Sequence, residues 1–180
     1  MKTLYKYKYR YFVAWFFAVI ILIHPKPLYP KIVEKIIGSI NGKIFTLSDC
    51  EIERKFLLGE IVFENLKSEN ILQYLEKLID AELIYREGKM LKIIHVSEDE
   101  VKNRIEYLID IMGDEFYKEL TRFEISKKDL AKLIREKIYA KKYFELRRNF
   151  FKGFGEEEGK IKMDEWIKSM RKKAGFKLLI

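Results

Sequence analysis

The sequence predicts a mostly helical domain that is closed by a small β-sheet. Apolar residues recur at three- and four-residue spacing through most of the chain after Lys35, which is the period of helices. Two short β-branched runs flank Asn41-Gly42, a pair that favours a hairpin because both residues tolerate positive φ. A last strand-like run, FKLLI, lies at residues 176–180. Because a lone hairpin is marginally stable in water, we expect this run to join it as a third strand.

Capping signals predict where the helices between these strands begin. Thr46 caps a first helix over about 47–58, and Gly59 ends that helix. Ser68 starts a long amphipathic helix with the sequence ENILQYLEKLIDAELIYREGKML, whose Leu and Ile residues share one face. Two further capping signals begin later helices, namely Ser97 with Glu100 and Ser126 with Asp129.

The second half of the chain adds four helices, a linker and the final strand after the first of these caps. One helix ends at Gly113, a short helix follows over 114–121, and a long helix runs over about 127–148. The segment FKGFGEEEGK then indicates a flexible, acidic linker. A further helix with Trp166 on its apolar side leads into the final strand.

Residues 1–30 have the layout of an export signal. Four Lys and Arg residues precede thirteen apolar residues from Tyr11 to Ile23, and the helix-breaking segment HPKPLYP follows. The apolar run is short for a membrane span, and no small-x-small cleavage site lies between Ile23 and Lys35. A removed signal and an inner-membrane anchor formed by residues 11–23 therefore both stay open, and either predicts a periplasmic location.

The charge of the chain is polarised. The formal net charge is +8, but residues 1–30 carry five positive charges and no acid, so that residues 31–180 keep +3. Residues 31–125 hold 14 Lys and Arg against 20 Asp and Glu, whereas residues 126–180 hold 17 against 8. A high isoelectric point therefore does not by itself indicate nucleic-acid binding, and an export signal argues against it.

Few residues support catalysis or metal binding, and we predict neither enzyme activity nor a cofactor. Cys50 is the only cysteine, which excludes an intramolecular disulfide and predicts a buried, inert thiol. The histidines, His24 and His95, form no convincing nucleophile–base pair or metal cluster with it. Several acids on the predicted helices are expected to be solvated, namely Asp80, Glu82, Asp110 and Glu115.

Several segments occur in a specific order: NGKIFTLSD, LIDAELIYREGKMLKI, VSEDEVKNRI, GDEFYKEL and ISKKDLAKLIREKI, followed by MDEWIKSMRKKAGFKLLI. This order resembles the N-terminal chaperone domain of SurA-type periplasmic proteins, with their closing helix and strand at the end. The resemblance covers about Lys35 to Ile180. It implies a domain over 31–152 and a closing segment over 153–180 that packs back on it.

The chain departs from this family pattern in three ways. Gly88 and Lys92 stand where the long helix usually carries a small residue and then a glycine, and Glu124 stands where a glycine is common. Roughly ten linker residues replace the parvulin domains that usually precede the closing segment, and such a domain needs on the order of a hundred residues. The resemblance therefore implies client binding and gives no support for prolyl isomerase activity.

As a function, the resemblance implies ATP-independent holding of unfolded envelope or outer-membrane polypeptides in an apolar groove. The segment 135–152 interleaves cations with aromatic residues, which fits binding of extended chains and equally fits binding of anionic lipid or nucleic acid. It also fits an amphipathic core helix with a solvated basic side. Each candidate client contact could also belong to the core; the candidates are Met112, Phe116, Tyr117, Phe123, Tyr139, Tyr143, Phe150 and Phe151.

Two other functions stay open at this point. An envelope adaptor or structural protein would use the same groove for one dedicated partner. A nucleic-acid-binding protein would use the basic residues 126–173, although the export signal opposes that function. The expected partners are unfolded polypeptides, and the sequence leaves open whether two molecules pair by exchanging their C-terminal strands.

Overall fold

A computed structural model describes residues 34–63 and 70–179. These residues form a three-stranded sheet of β1 (Ile36–Ile40), β2 (Lys43–Thr46) and β3 (Lys177–Leu178). The helices between the strands are α1 (Leu47–Lys55), α2 (Leu58–Val62), α3 (Ile71–Leu91), α4 (Glu98–Met112), α5 (Asp114–Arg122), α6 (Lys127–Lys152) and α7 (Glu156–Lys173). The prediction of a mostly helical fold with a small sheet is confirmed. The predicted export signal lies outside the described residues.

The sheet joins the two ends of the described chain. Its strand order is β2-β1-β3, and both pairs are antiparallel. The hairpin turns at Asn41 and Gly42, which have φ values of 45° and 79°. On the other side of β1, Gly38 lies opposite Leu178, and a further backbone hydrogen bond of 3.2 Å joins Asn41 N to Ala174 O. The predicted third strand is therefore confirmed.

Helix α6 is the element that connects two hydrophobic cores. Its 26 residues make it about 39 Å long. The sheet-side core lies between the sheet, α3, α7 and the C-terminal half of α6. The helical core lies between α1, α2, α4, α5 and the N-terminal half of α6. A side chain on α6 therefore belongs to one core or the other according to its position along the helix.

The predicted caps are present, with differences in the first two helices. Thr46 and Ser97 form capping boxes, and the Ser126 side chain accepts a hydrogen bond from Asp129 N. The first helix ends earlier than predicted, because Leu57 takes a left-handed φ of 50° and separates α1 from α2. Gly59 therefore lies within α2 instead of ending a helix. The long helix α3 starts after Asn70, whereas Ser68 lies outside the described residues.

The prediction of a flexible linker is wrong, because most of FKGFGEEEGK is helical. Only residues 153–155 separate α6 from α7. The three acids Glu156, Glu157 and Glu158 occupy the first turn of α7, where negative charge interacts favourably with the helix dipole. Gly159 lets α7 approach α6, since a Cβ there would lie 2.5 Å from Phe151 O. The acidic run is therefore part of a tight helical corner.

None of the helices in the described ranges is long and apolar enough to cross a membrane. The candidate anchor over residues 11–23 lies outside those ranges, so this finding does not bear on it.

Candidate functional site

Helices α3 and α6 approach each other closely at Gly88. A Cβ at this glycine would lie 2.8 Å from Tyr143 Cγ and 3.0 Å from Tyr139 Cε1, which is too close for an ordinary contact. The Tyr139 hydroxyl donates a hydrogen bond of 2.8 Å to Gly88 O. The missing side chain thus sets the spacing of the two helices and the position of Tyr143 between them.

The Glu87 carboxylate joins three helices beside this contact. Tyr143 Oη on α6 donates to Glu87 Oε1 at 3.1 Å, and Trp166 Nε1 on α7 donates to Glu87 Oε2 at 2.9 Å. Burial, and then the nearby Glu87 charge, raise the pKa of Tyr143 to about 12. Tyr143 therefore stays protonated and remains a hydrogen-bond donor at neutral pH.

Arg147 follows Tyr143 by one turn of α6 and lies among aromatic rings. Its guanidinium carbon is 4.9 Å from the ring centroid of Trp166, 5.0 Å from that of Phe151 and 5.9 Å from that of Phe150. Its Nε is buried and has no hydrogen-bond partner among the described residues. Arg147 is therefore held by its rings with part of its donor capacity unused.

A groove of about 490 Å³ opens beside these residues. We name it the Trp166 groove; it is lined by Asn41, Leu83, Arg86, Glu87, Met90, Arg147, Trp166, Ser169, Met170, Lys173 and Ala174. Met90 is 76% exposed, and Met170 belongs to the core beneath. Flexible methionine side chains next to an aromatic ring can adapt to different apolar partners.

Exposed apolar side chains continue the Trp166 groove at the end of α6. Phe150 is 59% exposed and Phe154 is 48% exposed, with their ring centroids 5.8 Å apart. Leu146, which is also exposed, lies one turn before Phe150 on the same face of the helix. We name these three residues the aromatic end. Arg147 contacts both Phe150 and Trp166, so the aromatic end and the groove adjoin.

A second cavity, of about 530 Å³, lies between α6 and α7. It is lined by Phe144, Arg148, Lys152, Glu156, Gly159, Lys160, Met163 and Asp164. Three cations and two acids line it, and Lys162 on α7 is paired with Glu158 at 3.2 Å. The charges that line this cavity are more nearly balanced than those of the Trp166 groove.

The structure does not bring the predicted client contacts together on one surface. Three of them, Phe116, Tyr143 and Phe151, are buried and pack in the cores, so they are not accessible to a client in this conformation. The others divide between the two ends of the molecule: Met112, Phe123 and Tyr139 are half-buried, whereas Tyr117 and Phe150 are exposed. Of the eight, Phe150 alone is part of the aromatic end.

Sequence reasoning missed Glu87, Arg147 and Met90 as residues of a site. A usable signal was present in α6, where Tyr143, Arg147 and Phe151 follow one another at four-residue spacing. That spacing places a cation in the middle of an apolar helix face. A charged residue at such a position needs a special environment, here a set of aromatic rings.

The expectation that Asp80 and Glu82 are solvated is wrong. Asp80 is 1% exposed and accepts hydrogen bonds of 2.5 and 2.8 Å from Arg171, which ties α7 to α3. Glu82 accepts hydrogen bonds of 2.7 Å from both Lys43 and Arg86, which ties the hairpin to α3. The cause is the central position of α3, because the sheet, α6 and α7 cover most of its sides.

Burial and pairing shift the pKa values of Asp80 and Glu82 in opposite directions. Burial raises the pKa of Asp80, although its hydrogen bonds with Arg171 oppose that rise. Burial would also raise the pKa of Glu82, but the hydrogen bonds and charges of Lys43 and Arg86 together lower it below its usual value. Glu82 is thus held firmly in its charged form.

The predicted burial of Cys50 is confirmed. Burial, followed by the charges of Asp49 and Glu53, raises the pKa of its thiol to about 12. The thiolate is therefore negligible at neutral pH, and the side chain acts as a small apolar group.

Within residues 34–63 and 70–179, no group of three or more His, Cys, Asp and Glu side chains is arranged to hold a metal ion. A scan against protein-family models and a search of the curated proteins both found no match for this chain.

Proposed function

We propose that this protein is an ATP-independent holding chaperone of the periplasm that binds extended, unfolded polypeptides. The observation that carries the proposal is the continuous surface formed by the aromatic end and the Trp166 groove. Phe150 and Phe154 expose large apolar rings to solvent directly beside a groove rimmed by methionine and tryptophan. Exposed apolar patches of this kind are typical of interaction sites.

The chemistry of this surface fits reversible binding of varied clients. Phe150 and Phe154 offer contact area to aromatic or aliphatic side chains, and Met90 adapts its shape to them. Rapid release requires weak binding, which corresponds to micromolar affinity or about −8 kcal/mol. The mechanism shields apolar segments from aggregation and needs no covalent step. Export through residues 1–30 is part of the same proposal.

The test is an aggregation assay with the full chain. An unfolded outer-membrane barrel protein is diluted from urea into a slight excess of this protein, and light scattering follows aggregation. We expect the wild type to suppress scattering and the variant Phe150→Ser with Phe154→Ser to suppress it much less. The matched control is Tyr107→Ser with Ile111→Ser. It removes two exposed apolar side chains from α4, the helix that packs on the helical core.

The control separates a specific surface from general stickiness. Equal loss in both double variants would show that exposed apolar area, not the aromatic end, suppresses aggregation. No suppression with any of several barrel proteins would contradict a general chaperone. A dedicated envelope adaptor, with one partner for the same surface, would then be the better account.

A further inference from the structure

We infer that the Trp166 groove selects client segments in which an Asp or Glu side chain adjoins apolar residues, and that Arg147 binds this carboxylate. The inference rests on the proposed function, since it names the kind of polypeptide that the same surface prefers. It follows from the charges that line the groove and from the way the structure pairs them.

Positive charge exceeds negative charge along the groove. Arg86, Arg147 and Lys173 line it, against the single acid Glu87. Arg86 is already paired, because it donates to Glu82 at 2.7 Å. The positive charge in excess therefore comes from Arg147 and Lys173, which lie on α6 and just at the end of α7.

Glu87 does not serve as the partner of Arg147. Its two carboxylate oxygens accept hydrogen bonds from neutral donors, the Tyr143 hydroxyl and the Trp166 indole. The ordinary expectation for an acid and an arginine that line one small groove is a direct ion pair. Here Glu87 joins three helices through these hydrogen bonds, and Arg147 contacts the aromatic rings while it lines the groove.

The surroundings of Arg147 leave part of its hydrogen-bonding capacity unused. The rings of Phe150, Phe151 and Trp166 lie within 6 Å of its guanidinium carbon and provide cation–π attraction. Such attraction acts through ring faces and does not replace hydrogen-bond acceptors for the N–H groups. Of the Arg147 nitrogens, only Nε is both buried and without a partner among the described residues. A ligand in the groove would therefore meet the terminal N–H groups, for which an acceptor would be favourable.

A carboxylate suits the Arg147 guanidinium better than other acceptors do. The planar guanidinium donates two parallel hydrogen bonds to a carboxylate, and the low polarity of the surrounding rings strengthens the attraction. Leu83, Met90 and Met170 give part of the groove an apolar lining, which suits the neighbouring side chains of the same segment. The preferred client is therefore an extended segment in which an acidic side chain has aliphatic or aromatic neighbours.

Fluorescence anisotropy with labelled peptides tests this inference on the full chain. One peptide carries Asp between Leu and Phe in an extended, amidated sequence, and its partner carries Asn at that place. A third peptide carries Asn and a free C-terminal carboxylate. We expect the Asp peptide to bind about tenfold more tightly than either of the others, as loss of a charge-assisted hydrogen bond implies. Preference for the third peptide would overturn the assignment to an acidic side chain.

The variants Arg147→Gln and Arg148→Gln remove the same charge from neighbouring positions. Arg148 is exposed and lines the cavity on the other side of α6, which makes it the matched control. We expect Arg147→Gln to bring the Asp and Asn peptides to within about twofold of each other, whereas Arg148→Gln keeps the wild-type ratio. Arg147→Lys, which keeps the charge and loses the two-pronged geometry, should give an intermediate ratio.

The ratio of two affinities in one variant does not depend on how well that variant folds. If Arg147→Gln weakens both peptides equally, Arg147 only packs against its rings and the inference is wrong. Equal binding of the Asp and Asn peptides by the wild type would also overturn it, while leaving the chaperone proposal intact. Failure of the wild type to bind any peptide, together with no suppression of aggregation, would instead contradict the proposed function itself.

Discussion

Trp166 donates a hydrogen bond of 2.9 Å to Glu87, a residue 79 positions earlier in the chain. This contact joins the closing helix α7 to the central helix α3 and forms one wall of the Trp166 groove. The Arg171–Asp80 pair lies further along the same two helices. The closing segment is thus held by two part-buried polar contacts in addition to its apolar packing.

The variant Trp166→Phe should lower the free energy of unfolding by about 1–3 kcal/mol, because it keeps an aromatic ring but leaves a carboxylate oxygen of Glu87 without its donor. Urea denaturation followed by far-UV circular dichroism measures this loss. The control is the same substitution in a Glu87→Leu background, where no acceptor remains. An equal loss in both backgrounds would assign the effect to ring packing alone.

The variant Gly88→Ala should lower the free energy of unfolding by about 1–3 kcal/mol, because the new Cβ would meet the Tyr143 ring at 2.8 Å. Helix propensity by itself predicts the opposite sign, a gain of about 1 kcal/mol. Thermal or urea denaturation of Gly88→Ala shows whether the free energy of unfolding falls or rises. In a Tyr143→Leu background the alanine should cost less, and a stabilising effect in the wild-type background would show that α3 and α6 separate easily.

Lys92 and Glu124 take left-handed φ values of 54° and 53° at the ends of helices. We expect Lys92→Gly and Glu124→Gly each to raise the free energy of unfolding by about 1 kcal/mol, since glycine has no Cβ to clash in this conformation. Lys132→Gly, within α6, is the control and should lower stability by about 1 kcal/mol.

Acid should remove the stability that Glu82 contributes. Lys43 and Arg86 lower the pKa of Glu82 in the folded state, so its contribution is fully present above the unfolded pKa of about 4.3. That contribution is lost as the pH falls below 4.3 and through the lower folded pKa. Denaturation at a series of pH values should therefore show a weaker acid dependence for Glu82→Gln. An unchanged slope between the two proteins would contradict the assignment.

Local signals in the sequence marked the hairpin and the starts of several helices. Asn41 and Gly42 marked the hairpin, and Ser97 and Ser126 marked the starts of α4 and α6, because turn and cap chemistry depends on a few neighbouring residues. The third strand followed from a physical requirement, since a hairpin needs a further partner. The linker prediction failed because it gave more weight to three glycines near the acidic run than to the stabilisation that acids give to the start of a helix.

The sequence by itself determined the mostly helical class, the pairing of the two ends and the burial of Cys50. These follow from periodicity, from the need of a hairpin for a further strand, and from the presence of a single cysteine. Only the tertiary structure decided that Asp80 and Glu82 are buried, that Tyr143 belongs to the core and that Arg147 lies among three rings beside a groove. The physical reason is that burial and pairing depend on which helix lies at the centre. The sheet, α6 and α7 surround α3, and residues far apart along the chain meet there.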